Sequence, residues 1–247
     1  MAACRHAGGR VGMAVPLFSV YSKNSAGIGE LLDIELLIDW CERSGMSILQ
    51  LLPMNDVGFD FRPYDAQSSF ALDPMYLSLY ELHNVSTEGL EDLLAELRRE
   101  FPAGQRLVNY GIKAAKLDAL WKIFQRTNTW PDECEAFVQA QRYWIDDHAM
   151  FNVAKELYEQ AEWRAWPQEI RDREPGALEA LKTEHYQRFR FHQWVQWQLA
   201  EQFLAVKAYA EQAGVLLMGD LPFLVSRDSS DVWAHQEYFQ LDKASGA

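Results

Sequence analysis

The sequence predicts an α/β fold in which parallel strands alternate with helices and a long helical segment interrupts the alternation. A strand-helix-strand pattern fills the first 52 residues, no strand pattern follows from about residue 90 to 213, and an apolar strand returns at 215–218. Strands joined through a helix form parallel sheets with right-handed crossovers. With 247 residues and 49% apolar content, the chain is long enough to bury a sizeable core.

The first β-α-β unit is predicted from apolar periodicity. Val11 to Val15 forms a short strand that leads into a loop rich in Ser, Gly and Asn at 19–29. Apolar residues over 31–41 repeat with helical spacing, and Gly45 stands where a C-cap is expected. Residues 47–52 form a second, buried strand, which completes the unit.

The next segment, residues 55–74, is predicted to be an irregular loop because Gly58, Pro63 and Pro74 interrupt it. A loop of this length inside a compact domain is usually functional or flexible. Loops that follow the carboxyl ends of parallel strands also build ligand sites. This loop is therefore predicted to carry function.

Helical patterns separated by breakers then continue up to Gly214. The predicted helices are 90–100, 113–125, 133–162 and 176–212. The strand at 215–218 runs into Gly219 and Asp220, so this carboxylate stands where a buried strand meets a turn. Two interpretations of Asp220 stay open: contact with a ligand, or hydrogen bonds to the amides of its own turn.

Two further features follow that turn. The polar cluster 228–231 is predicted to cap a helix, because Ser and Asp are preferred N-cap residues. Trp233 comes directly after it and has two alternatives, packing in the core or stacking on a sugar ring.

The charge balance excludes several classes of partner. The net charge of −13, from 36 acidic and 23 basic residues, repels nucleic acid and anionic membranes but leaves a neutral ligand such as a sugar unaffected. The first ten residues lack the apolar core of a secretory signal, and no stretch reaches membrane-spanning length. A cytoplasmic protein without a nucleic-acid or membrane partner is therefore expected.

The motifs of several common chemistries are missing. Cys4, Cys41 and Cys134 are widely spaced and are predicted to be free thiols. The six His residues lack the spacing of a zincin, so no metal site is predicted. The sequence also contains no phosphate-binding loop and no nucleophile elbow, which removes support for an NTPase or a triad hydrolase.

Three ordered segments resemble the signature blocks of the amylomaltase family of 4-alpha-glucanotransferases. The first block comprises Gly12-Met-Ala-Val-Pro-Leu-Phe-Ser-Val20, Gly27-Ile-Gly-Glu30, Leu37-Ile-Asp-Trp40 and Gln50-Leu-Leu-Pro-Met-Asn55. The second comprises Pro63-Tyr64 and Ser68-Ser-Phe-Ala-Leu-Asp-Pro-Met-Tyr-Leu77. The third comprises Gly219-Asp-Leu-Pro222, Arg227-Asp-Ser-Ser-Asp-Val-Trp233 and Phe239-Gln-Leu-Asp242. Together the blocks extend over nearly the whole chain.

The resemblance implies a partial (β/α)8 TIM barrel, about its first three strands, with a large helical insertion subdomain. The implied division is 1–80 for the first strands and a sugar-site loop, 81–190 for the insertion, and 191–247 for the return to the barrel. It also implies an enzyme that transfers α-1,4-glucan segments between maltooligosaccharides by a retaining double displacement, without a metal or an organic cofactor.

By the same resemblance, the substrate-binding residues are Tyr64, Asp220, Ser68 and Trp233. The family's nucleophilic Asp and acid/base Glu are expected beyond Ala247, so no catalytic residue is predicted in the chain, and the polypeptide alone is expected to be inactive. Three strands cannot close a barrel, so an exposed sheet edge is expected too. The alternatives are a non-catalytic α-glucan-binding fragment, a hydrolase of the α-amylase superfamily and a purely structural helical module.

Overall fold

The strands form two small parallel sheets. The computed structural model describes residues 9–86, 88–127 and 130–241. Within these residues the strands are β1 (Gly12–Val15), β2 (Ile48–Leu51), β3 (Asp65–Ala66), β4 (Leu216–Met218) and β5 (Leu224–Val225). One sheet has the order β1-β2-β4, and the other pairs β3 with β5. The predicted α/β class and the parallel pairing of the three predicted strands are confirmed.

The centre of the larger sheet is β2, which is the most buried of its strands. Leu49 and Leu51 are buried on one face, whereas Ile48 and Gln50 are only partly covered. A Cβ atom at Gly12 would collide with the backbone of Ile48, so a residue without a side chain is needed where β1 approaches β2. The sequence thus sets the close contact between the first two strands.

The smaller sheet was not predicted. Asp65 pairs with Leu224 and Ala66 with Val225, which ties the loop at 55–74 to the segment that follows β4. Strands of two residues carry no apolar periodicity, and this is why the sequence pattern showed only an irregular loop there. The consequence for the site is direct, because two distant segments are held side by side.

Helices account for most of the chain between β3 and β4. Those in this interval are α2 (Leu90–Glu100), α3 (Ile112–Arg126), α4 (Asp132–Ala140), α5 (Arg142–Leu157), α6 (Gln168–Arg171), α7 (Pro175–Glu184) and α8 (Tyr186–Ala213). In addition, α1 (Asp33–Arg43) connects β1 to β2, and α9 (Ser230–Ala234) follows β5. Short 3-10 helices lie at Leu17–Ser19, Pro74–Tyr76, Leu79–Glu81, Trp163–Ala165 and Gln236–Tyr238. No strand interrupts the described residues from α2 to α8, as predicted.

Two predicted helices were wrong in extent. The single helix predicted over 133–162 is divided into α4 and α5, because the backbone leaves helical geometry at Gln141 (φ −99°, ψ 11°). It also ends at Leu157, before Glu159 and Gln160 adopt positive φ. The helix predicted over 176–212 is likewise divided into α7 and α8 by a similar break at His185. Neither break contains Gly or Pro, so the sequence carried no breaker signal.

Three glutamines of α8 bind irregular backbone at the end of the loop at 55–74 and just beyond it. The amide of Gln196 both accepts from the N–H of Leu72 (3.0 Å) and donates to its carbonyl (2.9 Å). Gln198 makes the same pair of bonds with His83, and Gln202 makes it with Ser78. We call these side chains the glutamine row. Each amide acts as a neighbouring strand would, by accepting from one backbone N–H and donating to the C=O of the same residue, and at the buried Ser78 neither group is left without a partner.

Helix α3 is attached to the core through two buried lysines. The ammonium group of Lys116 is fully buried, contacts Glu30 at 2.6 Å and donates to the carbonyl of Met75 at 2.8 Å. Lys113 lies between Asp56 and Asp73, at 2.8 Å from each. These charges fix both ends of the loop at 55–74 to one helix.

The buried apolar side chains form two clusters. The larger one combines residues of the three-stranded sheet with α1, α2, α3 and α8, and the smaller one combines α5, α7 and α9. The division at residues 80 and 190 stays a prediction. Cys41 and Cys134 are free thiols, as predicted, and both are buried, while Cys4 lies outside the described residues. Of the helices in the described residues, none is both long and apolar enough to cross a membrane.

Candidate functional site

Tyr64 and Asp220 meet at the carboxyl end of the parallel sheet. The phenol of Tyr64 donates a hydrogen bond to Oδ2 of Asp220 at 2.8 Å, and this bond raises the pKa of the tyrosine above its ordinary value. The other carboxylate oxygen, Oδ1, has no hydrogen-bond partner among the residues that the structure describes. Both side chains are partly exposed. The pair therefore offers an acceptor to a ligand at the edge where such folds bind ligands.

Backbone pairing brings these two residues together across 156 positions of sequence. The carbonyl of Tyr64 accepts from the N–H of Leu224 at 3.2 Å, at the start of the pairing between β3 and β5. Asp220 directly follows β4. The small sheet thus positions one partner, and the larger sheet positions the other.

Phe223 is a third member of this site, which sequence reasoning missed. Its ring lies 5.1 Å from that of Tyr64, tilted by 32°, and the residue is 76% exposed. Leu221, on the same turn, is 82% exposed. Large apolar residues that remain in water beside polar groups mark binding surfaces. The only signal in the sequence was an apolar residue on each side of Pro222, within a turn that is otherwise expected to be polar.

Ser68 lies beneath the surface of the same loop and not on it. Its hydroxyl accepts hydrogen bonds from the backbone N–H groups of Phe70 (3.2 Å) and Ala71 (3.1 Å), and the residue is buried. Its carbonyl accepts from the side chain of Asn55 at 3.1 Å. In this structure Ser68 therefore shapes the loop, and a direct sugar contact by this residue stays a prediction.

Trp233 occupies the smaller core, which was one of its two alternatives. The ring is fully buried, donates its N–H to the carbonyl of Ile170 at 3.1 Å and packs on Trp166 and Phe151. No ring face is left for a sugar in this conformation. The arrangement removes Trp233 from the surface that holds Tyr64 and Asp220.

The polar cluster before Trp233 has structural partners. Ser229 caps α9 by accepting a hydrogen bond from the N–H of Val232 at 3.1 Å, which confirms the predicted capping. Asp228 instead accepts from the ammonium group of Lys155 at 2.6 Å. Asp231 accepts from the N–H of Ser69 at 2.8 Å and so joins α9 to the loop.

Buried charged residues hold the loop at 55–74 in place. Burial alone would raise the pKa of Asp56, but the nearby Lys113 and His148 lower it below its ordinary value. Asp73 shares Lys113, and burial raises its pKa. Burial also lowers the pKa of the His148 imidazole to about 4. At pH 7 the loop is thus held by the ion pairs of Lys113 with Asp56 and Asp73. The neighbouring His148 is neutral at that pH.

A cavity of about 610 Å³ lies beside the loop at 55–74. Among its lining residues are Phe59, Asp65, Gln67, Lys155 and Arg227. Lys155 is already satisfied by Asp228 and by the carbonyls of two neighbouring residues. Across the described ranges, no group of three or more His, Cys, Asp or Glu side chains is arranged to hold a metal ion.

The fold and the site together define an α/β protein in which polar and aromatic side chains gather at the carboxyl end of a parallel sheet, where folds of this class bind small ligands. The family model described as 4-alpha-glucanotransferase matches residues 15–247. The chain therefore belongs to the 4-alpha-glucanotransferase family of glycoside hydrolase family 77, which confirms the resemblance of the three sequence blocks.

Curated relatives agree with this assignment. The 4-alpha-glucanotransferase of Chlamydia pneumoniae is 36% identical over 242 residues, which cover 96% of this chain and 45% of that protein. The enzyme of Thermus thermophilus is 34% identical over 208 residues, covering 82% of this chain and 40% of that protein. The chain thus spans about half the length of the relatives it matches.

Solved structures support the fold. The amylomaltase of Streptococcus agalactiae, solved in complex with acarbose, matches with a TM-score of 0.79 at 23% identity, covering 95% of this chain and 48% of that one. The amylomaltase of Corynebacterium glutamicum matches with a TM-score of 0.73 at 21% identity, covering 92% of this chain and 32% of that one. At these identities the likeness concerns the fold alone.

Proposed function

We propose that this chain contributes the sugar-binding part of a 4-alpha-glucanotransferase site that acts on α-1,4-glucans and maltooligosaccharides. Membership of the family supports the reaction class. The observation that carries the proposal is the hydrogen bond of 2.8 Å between Tyr64 and Asp220 at the carboxyl end of the sheet. A carboxylate with one free oxygen accepts from a sugar hydroxyl, and the exposed ring of Phe223 covers the apolar face of the sugar.

The proposed reaction is a retaining double displacement. A carboxylate attacks the anomeric carbon while a carboxylic acid protonates the leaving sugar, and the 4-hydroxyl of another glucan then takes the place of water. We assign both the carboxylate and the carboxylic acid to positions of the family's enzymes that these 247 residues do not include. We assign the three-stranded sheet to a partial (β/α)8 barrel. Tyr64, Asp220 and Phe223 then orient the sugar, and a site that excludes water favours transfer over hydrolysis.

The test is calorimetry with maltoheptaose. Tyr64→Phe removes only the hydroxyl, and Asp220→Asn removes the charge that the hydroxyl binds. A hydrogen bond from a sugar hydroxyl to a carboxylate contributes about 1.5–3 kcal/mol, so Asp220→Asn is expected to weaken binding by about tenfold or more. Tyr64→Phe is expected to weaken binding less, because it removes only the bond that orients this carboxylate. Tyr186→Phe is the matched control, because Tyr186 is an exposed tyrosine at the start of α8. Unchanged affinity in both site variants would refute the proposed site.

A separate assay tests where the chemistry resides. The chain is incubated with maltotriose, and glucose and longer maltooligosaccharides are measured. Formation of either product by the 247 residues alone would show that the catalytic carboxylates lie within them, contrary to the proposal. A rise in the number of reducing ends would indicate a hydrolase, whereas redistribution at a constant number indicates a transferase. A longer chain, one that contains these 247 residues and further sequence, could also be assayed. If it bound maltotriose and formed no product, the non-catalytic alternative would be favoured.

A further inference from the structure

His148 of α5 is a buried histidine beside the loop at 55–74, and the proposed function does not use it. The residue is 3% exposed, and its Nε2 atom lies 3.8 Å from Oδ2 of Asp56. The side-chain amide nitrogen of Asn152 lies 3.2 Å from the same ring nitrogen. An N–H group in that place needs a ring nitrogen that carries a lone pair. The arrangement therefore fits a neutral imidazole.

Charged and titratable groups from the neighbouring elements face this ring. They are Asp56 of the loop, Lys113 of α3, His192 of α8 and Asp231 of α9. Two more carboxylates lie one contact further away, Asp73 on Lys113 and Glu156 on His192. Burial, opposed by the charge of Asp56, lowers the pKa of the His148 imidazole to about 4. The carboxylates around the ring therefore do not compensate for the loss of water.

The space beside the ring is too small to hydrate a charge. A cavity of about 20 Å³ borders on His148, Asp56 and Gln67. One water molecule needs roughly 10–15 Å³ of such space, so the cavity has room for a single water. An imidazolium carries two N–H donors, and burying a charge without full partners is costly. Protonation of His148 is therefore favourable only when the structure around the ring opens.

The groups that face the ring also hold the loop. Three hydrogen bonds anchor it to them: from the N–H of Gln67 to the carbonyl of Asp56 (2.7 Å), from Lys113 to the carbonyl of Gly58 (2.6 Å), and from the N–H of Ser69 to Asp231 (2.8 Å). Tyr64 lies between these anchors along the chain. Opening around His148 therefore releases the segment that carries Tyr64.

We propose that His148 is a pH-sensitive switch, which keeps the loop at 55–74 closed while its imidazole is neutral and releases Tyr64 when the imidazole is protonated. As far as it concerns sugar binding, this inference rests on the proposed function. His148 is a positioning residue, because it acts on the sugar site only through Asp56 and the loop.

The direction and size of the effect follow from the two states of the ring. In the open loop the ring is hydrated, and its pKa returns to the ordinary value of 6.5 from about 4 in the closed loop. The open form therefore binds the proton more tightly and gains as the pH falls below 6.5. From pH 7 to pH 5 the ratio of open to closed loops is expected to rise about 20-fold.

The experiment follows hydrogen exchange of the backbone amides of the 247-residue chain by mass spectrometry at pH 7 and pH 5. After correction for the intrinsic exchange rate at each pH, the data give the opening equilibrium of each segment. In the wild type, residues 55–74 should open more than β2 at both pH values and show the 20-fold rise. His148→Gln retains a polar side chain that binds no proton, so its loop should open almost equally at the two pH values. His235→Gln is the matched control, since His235 is 45% exposed, and it should behave like the wild type.

Two results would overturn the switch. One is a rise in His148→Gln as large as that of the wild type. The other is an equal opening equilibrium in the loop and in β2, because the proton would then act only through global unfolding. This second comparison uses the wild type alone, so the test stays valid if His148→Gln fails to fold.

A further arm separates the switch from the proposed function. Maltoheptaose that binds the closed loop at Tyr64 should reduce exchange of residues 55–74 in the wild type at pH 5. A reduction supports control of the sugar site by His148. If exchange of the loop ignores maltoheptaose but still rises 20-fold as the pH falls, the proposed sugar site is refuted and the switch in the loop is supported.

Discussion

Lys116→Met is expected to destabilise the fold strongly although it retains most of the side-chain volume. The ammonium group is fully buried and has three partners: Glu30 at 2.6 Å, the carbonyl of Met75 at 2.8 Å and that of Leu77 at 3.1 Å. A thioether replaces none of these bonds. The substitution therefore leaves a buried carboxylate and two buried carbonyls without their donor.

The magnitude follows from those lost partners. Breaking a buried ion pair by removing one member costs about 3–5 kcal/mol, because the other charge stays behind. Burial already raises the pKa of Glu30, with Lys116 opposing that shift. Without the lysine the carboxyl group binds a proton more readily when folded than when unfolded. The loss is therefore largest near pH 8 and becomes smaller as the pH falls toward 5.

Urea unfolding followed by circular dichroism at pH 8 and pH 5 measures both effects. Lys122→Met is the matched control, because Lys122 lies on the same helix with its side chain exposed, and it is expected to change stability by less than about 0.5 kcal/mol. Adding Glu30→Gln to Lys116→Met should restore part of the loss. A cost below about 1 kcal/mol for Lys116→Met at pH 8 would refute the reasoning.

Three further predictions concern other supports of the site. Because His148 remains neutral in the folded state down to a pKa of about 4, whereas an unfolded histidine binds a proton near pH 6.5, stability should fall by about 2 kcal/mol from pH 7 to pH 5. Urea unfolding of His148→Gln should show a flatter dependence, and an equal slope would contradict this. Ser229→Ala should cost about 1 kcal/mol by removing the cap of α9, with the exposed Ser44→Ala as control in thermal unfolding. Gln202→Leu should cost about 2–4 kcal/mol in urea unfolding, because the N–H and C=O of Ser78 lose their buried partners; a loss under 0.5 kcal/mol would count against the glutamine row.

Local periodicity predicted the parts of the fold that local sequence determines. The β-α-β unit at 12–51 was visible because each element buries a regular apolar face. The cap at Ser229 was visible because capping depends on residues within one turn. The helix break at Gln141 was not, since no residue type there opposes a helix and tertiary packing determines the bend.

The sequence predicted two residues of the candidate site but not how they come together. Tyr64 and Asp220 were singled out by the resemblance of their motifs, but their hydrogen bond joins positions 156 residues apart. The β3–β5 pairing that aligns them has only two residues in each strand. Phe223 was missed because an exposed ring and a core ring look the same in a sequence.

The glutamine row also has a consequence for the order in which the chain is synthesised. Leu72 and Ser78 are bound by side chains 124 residues further along, and His83 by one 115 residues further along. At about 5–20 residues per second on a ribosome, those partners emerge roughly 6 to 25 s later. During that interval these backbone groups lack their native partners and are hydrated. The loop that carries Tyr64 therefore acquires its shape late, only once α8 has left the exit tunnel.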